Sequence, residues 1–221
     1  MQPLKKFDQY QKIATQLNQP VADKLTENDE LSIVSEKSLN NLVQSIAQKQ
    51  NKKIQLQLQQ KGKERVPSAM LRSVRDIVVQ LVRNAASHGV ERSVDRALKS
   101  SAGKINVRII ADSNELSIVV RDDGRGIDLE AVKEKALASG KILPSVLNKM
   151  TEQEGFALLF EPGLSTATYS SLDSGRGMGM LAVKKMLQSL NGRISIAQAT
   201  GEYCQFTVRL PLKETSLIDV H

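Results

Sequence analysis

The feature that most constrains the fold is a long amphipathic helix predicted between Pro67 and His88. Its apolar residues recur at positions i, i+3, i+4 and i+7, which is the spacing of one helical face. They are Leu71, Val74, Val78, Leu81, Val82 and Ala85. Pro67 suits the first helical turn, and Gly89 supplies a stop. Such a helix must bury its apolar face, so we expect a core-facing helix packed on another layer.

Further periodic segments supply that layer. Alternation of apolar and polar residues predicts strands, and helical spacing predicts more helices. The predicted strands are Lys53–Gln59, Lys104–Ala111, Glu115–Arg121, Arg193–Ala199 and Tyr203–Leu210. The other predicted helices are Ser35–Asn51, Leu129–Ser139, Glu152–Phe160 and Met180–Leu190. The long stretch from Ile127 to Ser174 between strands is typical of a functional lid.

Length and composition bound the domain organisation. With 221 residues, 40% of them hydrophobic, the chain can bury a real core. We interpret residues 1–34 as a polar helical linker, 35–213 as the domain and 214–221 as a tail. Cys204 is the single cysteine, which excludes an internal disulfide. The first residues lack a signal-peptide pattern, and no apolar run is long enough for a membrane span. We therefore expect a cytoplasmic address and no membrane segment.

The net charge of +7 is concentrated in residues 49–75, which hold eight basic residues against one acid, Glu64. Such a patch could bind nucleic acid or an acidic partner. The chain has no tryptophan, and none of its seven aromatic residues lies within the patch, so base stacking there is not expected. We favour a solvated basic segment and rank nucleic-acid binding last among the function hypotheses.

Asn84 is the first candidate site residue. Gln80 and His88 lie four residues to either side of it on the long helix, so we expect all three on one polar face, opposite the apolar stripe. An amide oxygen is a hard, neutral ligand that suits Mg²⁺ bound to phosphates. The alternative is an ordinary solvated asparagine.

A second candidate element follows directly after a predicted strand. In the segment DDGRG, residues 122–126, a buried Asp122 could accept a hydrogen bond from an exocyclic amine. Gly124 and Gly126 would let the backbone approach a planar ring. The alternative is an ordinary Asp-Gly turn.

A third candidate element opens a helix: Gly175, Arg176, Gly177, Met178, Gly179 and Met180. Free backbone N–H groups at a helix N-terminus can hold phosphate oxygens. This run is not a Rossmann fingerprint, since Met180 stands where the last glycine would be and no βαβ unit surrounds it. No P-loop motif occurs in the chain.

In this order and spacing the three elements resemble the Bergerat ATP-binding fold of the GHKL superfamily, which gyrase, Hsp90, histidine kinases and MutL share. Five segments are similar to the catalytic domain of the chemotaxis histidine kinases, the CheA family. They are LVRNAASHGVE (81–91), DDGRGID (122–128), LFEPGLSTA (159–167), SGRGMGM (174–180) and FTVRLPL (206–212). The resemblance covers roughly residues 36–213.

The resemblance implies an α/β sandwich: one mixed sheet with helices on one face, and an ATP lid at about residues 127–174 anchored by Phe160. It implies that ATP and Mg²⁺ are bound. Asp122 would bind the adenine amine, Asn84 the metal, and His88 and Lys135 would lie near the phosphates. Together with Gln80, Asn84 and His88 would be the catalytic residues. Gly124, Gly126 and residues 175–180 would complete the nucleotide site.

The function implied is transfer of the γ-phosphoryl of Mg·ATP to a histidine on a separate phosphotransfer domain, which would supply a response regulator. Departures from the family pattern support an alternative, a catalytically weak or silent nucleotide-binding regulatory module. Gln80 replaces a histidine or glutamate, and Ala131 replaces a lysine of some relatives. Residues 201–204 read Gly-Glu-Tyr-Cys instead of Gly-x-Gly-Thr, which puts one nucleotide contact in doubt.

Overall fold

A computed structural model describes residues 32–96, 99–140, 142–147, 149–162 and 179–212. The helices are α1 (Glu36–Lys49), α2 (Ser68–Asn84), α3 (Leu129–Ala138), α4 (Pro144–Leu147), α5 (Glu152–Ala157) and α6 (Met180–Ser189). The strands are β1 (Ile54–Lys61), β2 (Gly103–Ala111), β3 (Glu115–Asp122), β4 (Arg193–Ala199) and β5 (Tyr203–Pro211). Each predicted element lies within a few residues of an observed one, because each pattern is strongly periodic.

The five strands form one mixed sheet in the order β1-β2-β3-β5-β4. β1 and β2 are parallel, and the other pairs are antiparallel. Alternate strand residues, such as Ile105 and Ile109 on β2 and Ile118 on β3, are fully buried. They pack against α1, α2 and α6 on one face of the sheet. The predicted α/β sandwich is therefore confirmed.

Helix α2 has the predicted core-facing stripe. Val74, Ile77, Val78 and Leu81 are fully buried. After Asn84 the helix widens into a π-helical turn, Ala85–Gly89, which is closed by an i→i+5 hydrogen bond from the Val90 N–H to the Ala85 carbonyl at 2.9 Å. The predicted helix thus continues to Gly89 but changes its geometry in its last turn.

The buried core begins two residues before the predicted domain start. Ile33 and Val34, which the sequence pattern placed in the linker, are both buried. The Gln60 side chain holds them: its Oε1 accepts from the N–H groups of Ile33 (2.9 Å) and Val34 (3.1 Å), and its Nε2 donates to the Val34 carbonyl (3.0 Å). Residues 1–31 and 213–221, with the rest of the predicted linker and the tail, lie outside the described residues.

The described part of the predicted lid contains α3, α4 and α5. Asp128 caps α3 by accepting from the Ala131 N–H at 3.0 Å, and Thr151 and Glu154 form a capping box at α5. α5 runs into a 3-10 turn, Leu158–Phe160, in which Phe160 is buried. Residues 163–174 of the predicted lid are outside the described residues.

The basic run at 49–75 is dispersed in the fold. Lys52 donates to carbonyls of the π-helical turn, Arg75 donates to the Ile33 carbonyl, and Arg65 pairs with Glu64. Lys61 lies instead on the face of the sheet opposite the helices. The run therefore does not form one contiguous patch. None of the helices among the described residues is long and apolar enough to cross a bilayer.

Candidate nucleotide site

Asp122 is the last residue of β3, and its side chain points into the helical layer. It is only 3% exposed. Its Oδ1 accepts from the Gly124 N–H at 3.0 Å, and no second hydrogen bond to its carboxyl is found within the described segments. Burial raises the pKa of Asp122 to about 7, and the Gly124 hydrogen bond only partly offsets this effect. The carboxyl therefore keeps an acceptor oxygen available for a ligand.

Glycine backbone packs closely against this carboxyl. A Cβ atom on Gly89 would lie 2.6 Å from Asp122 Oδ1, and one on Gly124 would lie 2.1 Å from the Gly89 carbonyl oxygen. Only glycine fits at either position. The sequence indicated Gly124 as a close-approach residue but interpreted Gly89 only as a helix stop. The backbone of these two glycines therefore packs directly against Asp122 and against each other.

The loop after Asp122 is held by the far edge of the sheet. Gln198 of β4 accepts from the Ile127 N–H at 2.6 Å and donates to its carbonyl at 3.2 Å. Gly201 donates to the Arg125 carbonyl at 2.9 Å. Gly126 has φ +84°, and its Cβ would approach Gln198 Oε1 at 3.0 Å, so glycine is required there too. Gln198 carries no local sequence signal and was not predicted.

A buried ion network holds the other side of the same loop. Arg96, with a side chain 1% exposed, donates to Glu91 (2.9 Å), to Asp123 (2.8 Å) and to the Ser100 carbonyl (2.6 Å). Lys99 donates to Glu91 and to the carbonyls of Asp123 and Gly124. These residues bring the segment after α2 against the loop that follows Asp122. Sequence reasoning missed Arg96 and Lys99 and gave Glu91 and Asp123 no role, because only their tertiary pairing distinguishes them from surface charges.

Asn84 links α2 to the start of α6. Gln80 Nε2 donates to Asn84 Oδ1 at 3.2 Å, and Asn84 Nδ2 lies 2.8 Å from the sulfur of Met180. Met180 is the first residue of α6, directly after the glycine-rich run. Asn84 of the first predicted element therefore contacts Met180, the last residue of the third. Asn84 Oδ1 carries one hydrogen bond from the Gln80 side chain and has a second lone pair.

The prediction that Gln80, Asn84 and His88 share one polar face of α2 was wrong for Gln80. Gln80 is 7% exposed and therefore belongs to the buried side of α2 rather than to an exposed face opposite the stripe. Its partner Asn84 is half-buried, whereas His88 is exposed. The physical reason is that α6 covers the end of α2, and that the π-helical turn alters the angular spacing beyond Asn84.

Positive charge converges around the π-helical turn. Lys52 Nζ donates to the carbonyls of Ala86 (2.9 Å) and Ser87 (2.7 Å), and Arg125 Nε donates to the carbonyl of His88 at 3.3 Å. Burial, followed by the charge of Arg125, lowers the pKa of Lys52 to about 8. Lys52 was counted in the sequence only as part of the basic run.

His88 is an exposed residue, yet the pKa of its imidazole is lowered. Desolvation of the ring is the largest cause, and the charges of Lys52, Arg125 and Lys135 add to it. That His88 and Lys135 lie near the phosphates stays a prediction. A neutral imidazole among three cations makes this end of the site suited to an anion.

Two of the predicted phosphate-binding residues are described. Gly179 precedes α6, and a Cβ atom added to it would have no neighbour within 4 Å, whereas Met180 is buried at the first turn. Gly175, Arg176, Gly177 and Met178 lie outside the described residues. Their role stays a prediction.

Cys204 lies opposite Asp122 in the register of β3 and β5. It is buried, and burial together with the Asp122 charge raises its pKa to about 12. It therefore stays a neutral thiol, a much weaker hydrogen-bond donor than the hydroxyl group of threonine. The sequence departure at residues 201–204 thus falls directly beside the candidate site.

Comparison with known proteins identifies the family. Residues 71–214 match the family model described as histidine kinase-, DNA gyrase B- and HSP90-like ATPase. The chain is 35% identical over 173 residues to the chemotaxis protein CheA of Treponema pallidum, covering 77% of this chain and 21% of that protein. It is 38% identical over 148 residues to the gliding motility regulatory protein of Myxococcus xanthus, covering 66% and 19%.

Among solved structures, the blue-light activated histidine kinase of Erythrobacter litoralis aligns with a TM-score of 0.48 at 15% identity, covering 81% of this chain and 42% of that one. The chain spans about a fifth of the length of the curated relatives it matches.

Proposed function

Because the chain belongs to the family of histidine kinase-, DNA gyrase B- and HSP90-like ATPases, we propose that it binds Mg·ATP and transfers the γ-phosphoryl group to a histidine on a separate phosphotransfer domain. From that histidine the phosphoryl group would pass to a response regulator. Such a relay would operate in the cytoplasm, where ATP is available.

The observation that carries the proposal is the environment of Asp122. Its carboxyl is almost fully buried, has one hydrogen bond, and is packed against the glycine backbone of residues 89 and 124. A buried acceptor with spare capacity favours a ligand that brings its own N–H donor. The exocyclic amine of adenine is such a donor, and glycine backbone lets a planar ring approach closely.

The other end of the site suits the triphosphate. Asn84 Oδ1 retains a free lone pair that fits Mg²⁺, and Lys52, Arg125 and Lys135 surround His88 with positive charge. Among the described residues no three His, Cys, Asp or Glu side chains cluster, so the metal would be held by Asn84, phosphate oxygens and water. Bound Mg²⁺ would neutralise charge on the phosphates during transfer.

Phosphoryl transfer needs little covalent catalysis from the protein. An imidazole nitrogen of the acceptor would attack the γ-phosphorus, the bond to the β,γ-bridging oxygen would break, and ADP would leave. Positioning and charge neutralisation supply most of the catalysis in phosphoryl transfer. Gln80 would act by holding Asn84, since its Nε2 donates to the oxygen that would bind the metal.

Calorimetry in Mg²⁺ tests the binding step. We expect ATP to bind and GTP to bind at least about tenfold more weakly, because the guanine oxygen cannot donate to Asp122. Absence of ATP binding would refute the assignment. Single-turnover transfer from saturating Mg·ATP to a supplied cognate phosphotransfer domain tests the second step.

A catalytically weak or silent regulatory module is the second candidate, and the position of Gln80 favours it. This amide is buried, hydrogen-bonded to Asn84, and cannot accept a proton as histidine or glutamate can. If the kinase proposal holds, Gln80→His should raise the transfer rate at least about tenfold with ATP affinity nearly unchanged. If both proteins bind ATP and neither transfers, the regulatory module is favoured.

A further inference from the structure

The face of the sheet opposite the helices is open and basic. Side chains directed to it by the five strands include six cations and one anion: Lys61, Lys104, Arg108, Arg121, Arg193 and Arg209, with Glu115. All six cations are exposed. Glu115 pairs with both Arg193 and Arg209. Within the described residues, no carboxylate pairs with any of the other four.

The middle of this face is a shallow depression of about 460 Å³. The strand register places Gln57, Asn106, Arg121 and Gln205 in one row that crosses four strands. Arg108 lies in the next row, diagonal to Arg121 on the neighbouring strand. Gln59 lies beside Arg108 in that row, so the depression is bordered by two guanidinium groups and four amides, all of them hydrogen-bonding groups.

Arg121 is also positioned before any partner binds. Its guanidinium carbon lies 3.7 Å from the centroid of the Tyr203 ring, which is cation–π geometry. Two like charges on neighbouring strands oppose each other unless an anion lies between them. Carboxylates are the protein groups that match paired arginines, because they accept bidentate hydrogen bonds.

We propose that this open face docks an acidic surface of a protein partner, whose carboxylates bind Arg108 and Arg121 while its polar neighbours meet the amide row. Nucleic acid fits less well. Single strands bound on open sheets stack their bases on aromatic side chains. Tyr203 is the one aromatic residue that the five strands direct to this face, and Arg121 covers its ring.

The docking face and the nucleotide site lie on opposite sides of the sheet, because Asp122 points into the helical layer and Arg121 points away from it. A partner bound to the open face would therefore not cover the side of the sheet that holds Asp122. The inference does not depend on the proposed kinase function, and a protein that fails to transfer phosphate could still dock this partner.

The test uses the full chain and a fluorescein-labelled 20-residue glutamate-rich peptide, with anisotropy measured at 50, 150 and 300 mM NaCl. We expect salt-dependent binding that Arg108→Glu/Arg121→Glu weakens at least about tenfold. The matched control is Lys37→Glu/Lys185→Glu, two exposed helix cations with the same total charge change, which should stay within about twofold. Arg108→Gln/Arg121→Gln provides a second, milder variant.

An equal loss of peptide affinity in Arg108→Glu/Arg121→Glu, the face variant, and in the control would overturn the proposal, because net charge alone would then explain binding. It would equally be overturned by no peptide binding, or by tighter binding of a single-stranded oligonucleotide or phosphatidylserine vesicles than of the peptide. Amide shifts on peptide addition should map to β1, β2 and β3 in NMR spectra, and shifts confined to the helices would contradict the assigned surface. Unchanged ATP binding in the face variant checks that it folds.

Discussion

Replacing Asp122 by asparagine should stabilise the ligand-free protein while removing its affinity for ATP. The folded state holds this carboxyl at a pKa of about 7, compared with an ordinary value of 3.8. The folded state therefore binds the proton more tightly than the unfolded state does. Between these two pKa values, the free energy of unfolding of the wild type falls as the pH rises, and above pH 7 the loss is complete.

The size of the effect follows from the pKa values. One pKa unit corresponds to about 1.36 kcal/mol, so between pH 5.5 and the folded pKa of about 7 the wild type loses about 2 kcal/mol. The asparagine variant has no titrating group there and escapes this loss. Its advantage over the wild type should therefore grow by about 2 kcal/mol between pH 5.5 and pH 8.5. The amide oxygen of the introduced asparagine would still accept from the Gly124 N–H.

Urea unfolding without nucleotide at pH 5.5, 7.0 and 8.5 measures this difference, and other titrating groups cancel between the two proteins. Asp112→Asn is the control. Backbone hydrogen bonds from Asn114 and Glu115 lower the pKa of Asp112, so it is ionised in both states across this range and its effect should not vary with pH. A stability gain for Asp122→Asn that is the same at pH 5.5 and 8.5 would refute the reasoning. Calorimetry should show ATP binding lost, since an amide N–H cannot accept from adenine.

Three further predictions concern the same site. Arg96→Met should lower the free energy of unfolding in urea by about 3–5 kcal/mol, because it leaves Glu91 and Asp123 without their buried partner. The control, Arg92→Met at an exposed ion pair, should change this free energy little. Equal effects of the two substitutions would contradict the role of the network. Gly124→Ala should weaken ATP binding at least about tenfold in calorimetry, since its Cβ would meet the Gly89 carbonyl. Gly179→Ala, whose Cβ would meet nothing, should leave the free energy of unfolding unchanged. Normal ATP affinity in Gly124→Ala would count against the predicted role of this glycine. The isolated chain should stay unlabelled with γ-labelled ATP, because its two histidines are His88 in the site and the terminal His221; label on either residue would contradict this.

The sequence determined by itself what depends on local periodicity and on short-range motifs. The stripe of α2 and the alternation in β2 predicted their elements within a few residues, because one buried face enforces the period. Asp122 and Gly124 were predicted as a site because a buried carboxylate can accept from an exocyclic amine and glycine lets the backbone approach a ring, with an ordinary Asp-Gly turn as the alternative. Asn84 was predicted from its spacing within the motif.

The tertiary structure alone decided how distant residues meet. Gln80 is buried because α6 packs over the end of α2, and the sequence around Gln80 carries no trace of that contact. Gln198 holds the loop after Asp122 across 71 residues of sequence. The basic residues at 49–75 are contiguous in the sequence but dispersed in the fold. Arg108 and Arg121, by contrast, form a basic face with residues from other strands. Sheet register sets such neighbours, and register depends on the packing of the whole core rather than on any local segment.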